Sequence, residues 1–377
     1  MQELKCYIYE LDPDFVMITE SWASDQIDDV VLKLDGYNIM RKDRQRKKGG
    51  GCILYCKSYL TAVMDSELTN FNDAEAVWCN LTTDNGNILM GVCYHSPSAN
   101  SEQELDLHNM SSMACDRQGE KIICGDFNHS SINWGSLHSG AEGVNFVNLV
   151  QDCFLVQHVD QPTRGNNILD LVLSSNEALV ENLLVNEPFG TSDHNTITFD
   201  LVTSVQIKVW KISYFDYRNG DYKNMNKYLS EQDWNVLFSD KGAEETWVIF
   251  KELLHEAVVK FVPKKTRKTS KKKPLWWTKK VEKVRRSKYR LWKRFTESQV
   301  HANYLRYKRA LNLATKEIRA AKRKYESRLT KKIKQNPKAF YAYVRSNMKT
   351  RDHVSPLTEE NGEVITDDVR TAKVLND

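Results

Sequence analysis

The first half of the chain consists of short apolar runs rich in β-branched and aromatic residues, and this feature most limits its fold. Seven such runs occur before residue 204, and several alternate apolar and polar residues as half-buried strands do: DFVMITE, GGGCILYCK, AVWCNLTT, NILMGVCYHS, EKIICGDFN, ILDLVLSS and NTITFDLV. Segments with helical spacing, such as residues 144–153, lie between some of them. The pattern predicts an α/β fold, a sheet sandwich with helices outside and polar strand ends at one rim.

Charge is distributed unevenly along the chain. Residues 261–340 contain 29 Lys and Arg against four Glu, a net charge of +25, whereas the whole chain has a net charge of +4. The remainder therefore carries −21. An acidic front and a strongly basic back favour a nucleic-acid partner. The alternative is a helical surface that is only solvated.

Length and composition set further limits. The 377 residues suffice for two or three domains. No apolar run approaches the ~20 residues of a membrane span, and the N-terminus lacks a signal pattern, so we expect an intracellular protein that does not contact a membrane. All eight Cys lie between Cys6 and Cys153 without a C-x-x-C pair, which predicts buried reduced thiols.

The second half changes character. Residues 205–275 are expected to be a linker with short helices, which ends in an exposed basic stretch. Residues 276–336 are expected to form a basic helical hairpin or a coiled coil, because apolar and aromatic residues recur at heptad spacing: Tyr304, Tyr307, Leu311, Ala314, Ile318, Ala321 and Tyr325. Residues 337–377 end in a predicted hairpin or extended strand and a partial helix.

Polar residues stand where several predicted strands begin or end. Asp126 and Asn128 close the run KIICGDFN, Glu20 closes DFVMITE, and Tyr94 closes NILMGVCY. A turn explains Asp and Asn in GDFN equally well when that stretch is taken alone. Several such ends in one acidic domain favour a site.

Asp170 interrupts the apolar run ILDLVL. A buried carboxylate is costly unless it is paired, and a His that such an Asp orients can act as a general base. His194 is the candidate partner. The alternative is an Asp that faces solvent on an amphipathic strand.

Carboxylates with further oxygen ligands suit Mg²⁺, and Glu20 and Asp193 are the candidate metal ligands. A metal there would polarise a phosphoryl oxygen, and His194 would help to activate a water molecule. Asn128 and Tyr94 would donate hydrogen bonds to the phosphate oxygens as charge develops.

The order ITESW, VCYHSP, ICGDFN, ILDLVLS and TSDHNTI resembles the endonuclease/exonuclease/phosphatase superfamily. The resemblance is strongest to the endonuclease and following linker of jockey-type non-LTR retrotransposon polyproteins. It implies a four-layer, DNase-like α/β sandwich over residues 1–204, a mostly helical basic region after it, and Mg²⁺, with Mn²⁺ as a second option. By motif, the catalytic positions are Tyr94, Asp126, Asn128, Asp170 and His194, and the metal positions are Glu20 and Asp193.

Two departures accompany the resemblance. Family members begin with a strand that ends in an Asn near the metal, and here only 19 residues precede Glu20. The loss of that strand is expected to leave a sheet edge open. The sequence also stops before a reverse-transcriptase core, so a fragment truncated at both ends is expected.

The expected function is Mg²⁺-dependent nicking of DNA in the nucleus, which would prime reverse transcription. DNA, and as a second option RNA, is the expected partner. The basic residues expected to contact it, unless they are simply solvated, are Arg41, Arg44, Lys47, Lys48, Lys271, Lys272 and Lys273. One alternative is a catalytically inactive nucleic-acid-binding remnant, and another is a phosphatase or phospholipase of the same fold.

Overall fold

The computed structural model describes residues 1–44, 49–205, 212–267, 273–345, 357–358 and 364–365. They fall into two compact units, one from residues 1–206 and 273–377 and the other from residues 207–272. The domain boundaries expected at residues 204, 275 and 336 stay predictions.

The described strands are β1 (Phe15–Ile18), β2 (Tyr37–Lys42), β3 (Cys52–Lys57), β4 (Ala62–Met64), β5 (Glu75–Thr83), β6 (Gly86–Tyr94), β7 (Glu120–Asp126), β8 (Val156–Gln157), β9 (Asp170–Ser174), β10 (Val180–Pro188), β11 (Asn195–Leu201), β12 (Ile212–Phe215), β13 (Lys264–Arg267), β14 (Leu357–Thr358) and β15 (Val364–Ile365). The described α-helices are α1 (Gln2–Leu11), α2 (Asp29–Leu32), α3 (Ser66–Thr69), α4 (Ser101–Cys115), α5 (Val144–Asp152), α6 (Tyr222–Ser230), α7 (Trp234–Phe238), α8 (Ala243–Phe261), α9 (Lys279–Ser298), α10 (His301–Lys331) and α11 (Pro337–Arg345). Short 3-10 turns lie at Ala141–Gly143, Glu177–Leu179 and Tyr217–Asn219.

Three hydrophobic cores separate four layers of the first unit. A six-stranded sheet in the order β4-β5-β6-β7-β9-β8 packs one face on α4 and α5. Its other face packs on a second layer, which consists of the sheet β1-β3-β2 and the pair β10-β11. Helices α1 and α2 cover that second layer. The four-layer α/β sandwich expected from the sequence is thereby confirmed.

The buried strands explain why the large sheet is tightly packed. Strands β5, β6 and β7 are nearly continuous apolar runs, as strands buried on both faces are. Trp78 is fully buried, and its ring lies where a side chain on Gly91 would be. Only glycine fits there. In the second layer, β1 pairs with β3 and β11 pairs with β10, and the described residues provide no strand between these two sheets.

The basic region expected after the sandwich forms two long helices. Helices α9 and α10 are antiparallel, with Trp292 against Tyr307 and Phe295 against Tyr304 at ring-centre distances of 4.8 and 5.3 Å. Gln299 ends α9 in the left-handed region at φ 52° and lets the chain reverse. Three seam residues of α10, Ile318, Ala321 and Tyr325, pack in a core that contains Cys6 of α1.

The second unit differs from the linker expected for residues 205–275. Helix α8 is 19 residues long and packs on α6 and α7, and part of the basic stretch is strand β13, which pairs with β12. Lys side chains are compatible with this two-stranded ribbon because both strands are edges, where charge is common.

The cysteines and the helices are the subject of two further expectations. All eight Cys are free, and six of them are buried. Among the described residues, no helix combines the length and the apolar character that a membrane crossing requires.

Candidate active site

Strand register places four polar residues in one row across the large sheet. Glu75 of β5 lies opposite Tyr94 of β6, Tyr94 opposite Asp126 of β7, and Asp126 opposite Asp170 of β9. The row lies at the end of the sheet where β6 and β7 finish. Because register fixes which side chains are neighbours, the polar strand ends meet at one rim.

Asp170 and His194 form a hydrogen-bonded pair at this rim. The imidazole Nδ1 lies 2.8 Å from the Asp170 Oδ2, so an Nδ1–H donates to the carboxylate. Thr163 contacts Asp170 and the residue after His194, since its Oγ1 accepts from the backbone N–H of Asp170 at 3.0 Å and its carbonyl accepts from that of Asn195 at 2.7 Å. The pair therefore directs His194 Nε2 outward from Asp170.

Asp126 faces that second nitrogen. Its Oδ2 is 3.9 Å from His194 Nε2, and the residue is only 4% exposed. Burial, followed by the charges of Asp170 and Glu20, raises the pKa of Asp126 to about 7. Burial lowers the pKa of His194, but its hydrogen bond to Asp170 and the two nearby Asp charges outweigh this and leave the pKa raised.

The GDFN turn gives Asn128 a fixed place beside Asp126. Asn128 has φ 52°, its N–H donates to Asp126 Oδ1 at 3.2 Å, and its Nδ2 donates to the carbonyl of His95 at 2.8 Å. Gly125 is required because a Cβ there would lie 1.8 Å from the carbonyl oxygen of Cys93. The turn therefore holds a carboxylate and a carboxamide side by side.

Glu20 reaches the same rim from the second layer. The Tyr94 hydroxyl donates a hydrogen bond to Glu20 Oε1, and Glu20 has φ 48°. Burial and this hydrogen bond raise the pKa of Tyr94, so its hydroxyl stays protonated. The guanidinium of Arg44 lies 5.5 Å from the centre of the Tyr94 ring. A left-handed backbone at non-glycine residues is often found at functional sites.

The two metal ligands expected from the sequence have different partners. Glu20 contacts Tyr94. Asp193 accepts a hydrogen bond from Arg164 Nε at 2.8 Å, lies 2.7 Å from Arg164 Nη2 and is largely exposed. The group of metal-binding residue types that the described structure brings together is Asp126, Asp170 and His194, with ligand atoms within 4.8 Å of one another.

The basic residues predicted to contact nucleic acid have different partners in the structure. Arg41 pairs with Asp29 at 3.0 Å, and Arg44 pairs with Glu75 at 2.6 Å. Lys273 lies over the Tyr9 ring at 5.5 Å. Lys47, Lys48, Lys271 and Lys272 lie outside the described residues.

Sequence reasoning missed three supports of the site. Glu75 binds Arg44 and also accepts from the backbone N–H of Gly51 at 2.6 Å. Arg164 binds Asp193, and Thr163 accepts from the backbone N–H of Asp170. An acidic residue directly before the apolar run AVWCN was a signal for Glu75. Arg164 and Thr163 stand in a loop whose sequence carries no such signal.

A family model matches part of the chain. The family model described as endonuclease-reverse transcriptase matches residues 88–198. No curated protein matches the chain.

Solved structures of low identity have a similar fold. One is the endonuclease domain of TRAS1, a telomere-specific non-LTR retrotransposon, at 19% identity, with 53% of this chain and 91% of that one covered and a TM-score of 0.43. Another is a 3′-5′ exonuclease from Neisseria meningitidis, at 14% identity, 53% and 93% coverage and a TM-score of 0.41. A third is the catalytic domain of Xenopus laevis APE2, at 14% identity, 54% and 90% coverage and a TM-score of 0.36.

The matched residues 88–198 include five of the rim residues described above, which are Tyr94, Asp126, Asn128, Asp170 and His194. The resemblance of this chain to the endonuclease/exonuclease/phosphatase superfamily, and within it to endonucleases joined to reverse transcriptases, is thereby confirmed.

Proposed function

We propose that the chain hydrolyses phosphodiester bonds of DNA at the rim of the large sheet and leaves a nick. The observation that carries this proposal is the chain of contacts from Asp170 through His194 to Asp126, because it combines an oriented imidazole with a carboxyl group whose pKa is about 7. Such a carboxyl can take a proton from water near neutral pH.

A divalent cation fits the composition of this site. Three carboxylates contribute charge here: burial, and then the charges of Asp170 and Glu20, raise the pKa of Asp126. Oxygen ligands of this kind suit Mg²⁺ or Mn²⁺. We propose that Glu20 holds the cation. Asp193 would have to release Arg164 to join it. A bound cation would supply charge stabilisation to the phosphoryl group.

The protein groups then have separate roles. Asp126 accepts the proton of the attacking water, while His194, held by Asp170, carries positive charge toward the phosphate. Asn128 has a second N–H besides the one given to His95, and this N–H is available to a phosphate oxygen. The Tyr94 hydroxyl holds Glu20 in place. These donors stabilise charge that develops in the transition state.

The test is nicking of supercoiled plasmid by the full chain with Mg²⁺, with EDTA, and beside His194→Ala. We expect metal-dependent nicking and a loss of about 10²–10⁴-fold in the variant, the usual contribution of a general acid or base. Exposed His138→Gln is the matched control and should nick normally. Plasmid binding without nicking would instead favour an inactive remnant, and equal nicking by His194→Ala would exclude the proposed site.

A further inference from the structure

Helices α9 and α10 carry far more positive charge than their own acidic residues neutralise. Residues 279–331 contain 19 Lys and Arg but only four Glu. Each Glu already lies within 4.0 Å of a basic side chain on the same two helices, in the pairs Lys280–Glu317, Arg286–Glu282, Lys293–Glu297 and Lys322–Glu326. The hairpin therefore has no acidic residue left to balance its other cations.

Two more cations attach the hairpin to the sandwich. Arg285 donates to both oxygens of Glu10 on α1, at 3.0 and 2.5 Å. Lys288 lies 2.7 Å from Glu187 of β10, and both side chains are more than nine-tenths buried. Both pairs lie within the first compact unit. The hairpin is therefore packed on the nuclease fold and does not stand apart from it.

The remaining 13 basic residues are exposed, and none has an acidic partner in the part of the chain that the structure describes. They are Lys279, Lys283, Arg290, Arg294, Arg306, Lys308, Arg309, Lys316, Arg319, Arg323, Lys324, Arg328 and Lys331.

Their spacing concentrates the charge on the outer faces of the helices. In α9, Lys279, Lys283, Arg290 and Arg294 lie on the face opposite the buried residues, which are Val281, Arg285, Lys288 and Trp292. In α10, the residues opposite the seam are Arg309, Lys316, Arg319 and Arg323. At about 1.5 Å per residue, the named residues extend for about 22 Å along α9 and about 21 Å along α10.

A surface that is only solvated does not explain this arrangement. Solvated helices gain stability from Glu–Lys pairs one turn apart, whereas like charges at that spacing are destabilising. Lys279 with Lys283, Arg290 with Arg294, and Arg319 with Arg323 are all like-charged pairs one turn apart. A dense polyanion offsets that repulsion, and duplex DNA has about one charge per 1.7 Å along its axis.

We propose that the exposed basic faces of α9 and α10, which we call the hairpin basic surface, bind the phosphate backbone of duplex DNA independently of its sequence. The choice of DNA over RNA rests on the proposed function, because the hairpin is packed on the nuclease fold. Phosphate binding by the hairpin basic surface does not depend on hydrolysis.

The test is binding of a fluorescent ~30-base-pair DNA duplex to the full chain in EDTA, across a range of salt concentrations. The variant carries Lys279→Gln, Lys283→Gln, Arg290→Gln and Arg294→Gln. The matched control removes four exposed charges from the second unit, with the substitutions Arg218→Gln, Lys223→Gln, Lys227→Gln and Lys241→Gln. Circular dichroism and thermal unfolding establish that both variants fold.

We expect the α9 variant to bind at least tenfold more weakly near 0.1 M salt, with a slope of log affinity against log salt reduced by about 3–4. The control should stay within about twofold. Equal weakening of both variants would overturn the proposal, because net charge alone would then explain binding. Weakened binding of an RNA duplex with unchanged DNA binding would overturn the choice of DNA. Because EDTA prevents metal-dependent hydrolysis, failure here and failure of the nicking assay are separate results.

Discussion

Charge is buried in two regions of this molecule, and the two regions balance it differently. At the rim, Asp126 and Asp170 are neighbours in register, and the pKa of Asp126 is raised because burial and like charges oppose its ionisation. Under the hairpin, Arg285 and Lys288 each face one carboxylate. Unbalanced buried charge is typical of reactive sites, whereas matched pairs hold elements together. This difference fits the proposed function, in which the first region serves chemistry and the second serves docking.

The rim can be tested by removing one carboxylate charge without changing its shape. Asp170→Asn takes away the acceptor that orients His194, so we expect nicking to fall about 10²–10⁴-fold. It removes repulsion from Asp126 and also the charge that stabilises protonated His194, so the two changes offset and the melting temperature should change little. Plasmid nicking and thermal unfolding measure the two effects. A large loss of stability would mean that Asp170 stabilises the fold in the way that Arg285 and Lys288 do. The rim and the hairpin would then not differ in how they use buried charge.

The hairpin should respond in the opposite way. Lys288→Met leaves Glu187 buried without its partner, which is expected to lower the free energy of unfolding by about 3–5 kcal/mol. The matched control is Lys280→Met. Lys280 lies on the same helix as Lys288 and pairs with Glu317 of α10 at a similar distance, but its side chain is largely exposed. That pair should contribute at most about 1 kcal/mol. Urea unfolding of both variants provides the comparison.

A double variant sharpens the interpretation of the buried pair. Replacing Glu187 with Leu in the Lys288→Met background removes both charges, and most of the lost stability should return, because apolar pairs often replace buried ion pairs at little cost. If the double variant is as unstable as the single one, the shape of the pair and not its charge holds the hairpin.

The rim was the more predictable region from sequence. Asp126, Asn128, Asp170 and His194 follow or interrupt apolar runs, and the alternation of strands determines that such residues gather at one edge. Their roles stay proposals, but their proximity follows from the pattern. Glu20 joins them because its strand ends at the same edge.

Other contacts depend on tertiary structure that no local pattern records. The ion pair of Arg164 with Asp193 joins residues 29 positions apart. The ion pair of Lys288 with Glu187 joins residues 101 positions apart. Lys288 is one of many cations in a basic helix, and nothing in its sequence neighbourhood marks it as buried. The heptad pattern predicted the helices but could not show which cations face the sandwich.

A smaller effect on stability is expected from an imidazole at the rim that is partly buried and carries no charge near neutral pH. His129 follows the GDFN turn, and its ring stacks between those of His95 and Phe146 at 4.9 and 4.8 Å. Burial, and then the repulsion from a charged His95, lowers the pKa of His129 to about 4. The unfolded chain therefore takes up a proton near pH 6.5 that the folded protein refuses until about pH 4. Stability is lost as the pH falls through this window.

His129→Phe keeps the stacked ring and removes the proton site. Between pH 7 and pH 5 the wild-type protein should therefore lose about 1–2 kcal/mol more unfolding free energy than the variant, since one pKa unit corresponds to about 1.4 kcal/mol. Urea unfolding at the two pH values measures the difference, with exposed His138→Gln as the control. An identical pH dependence in His129→Phe and wild type would mean that the pKa of His129 is the same in the folded and unfolded chain. The folded rim would then gain a second cation besides His194 as the pH falls below about 6.5, and the contrast in charge balance with the hairpin would be weaker there.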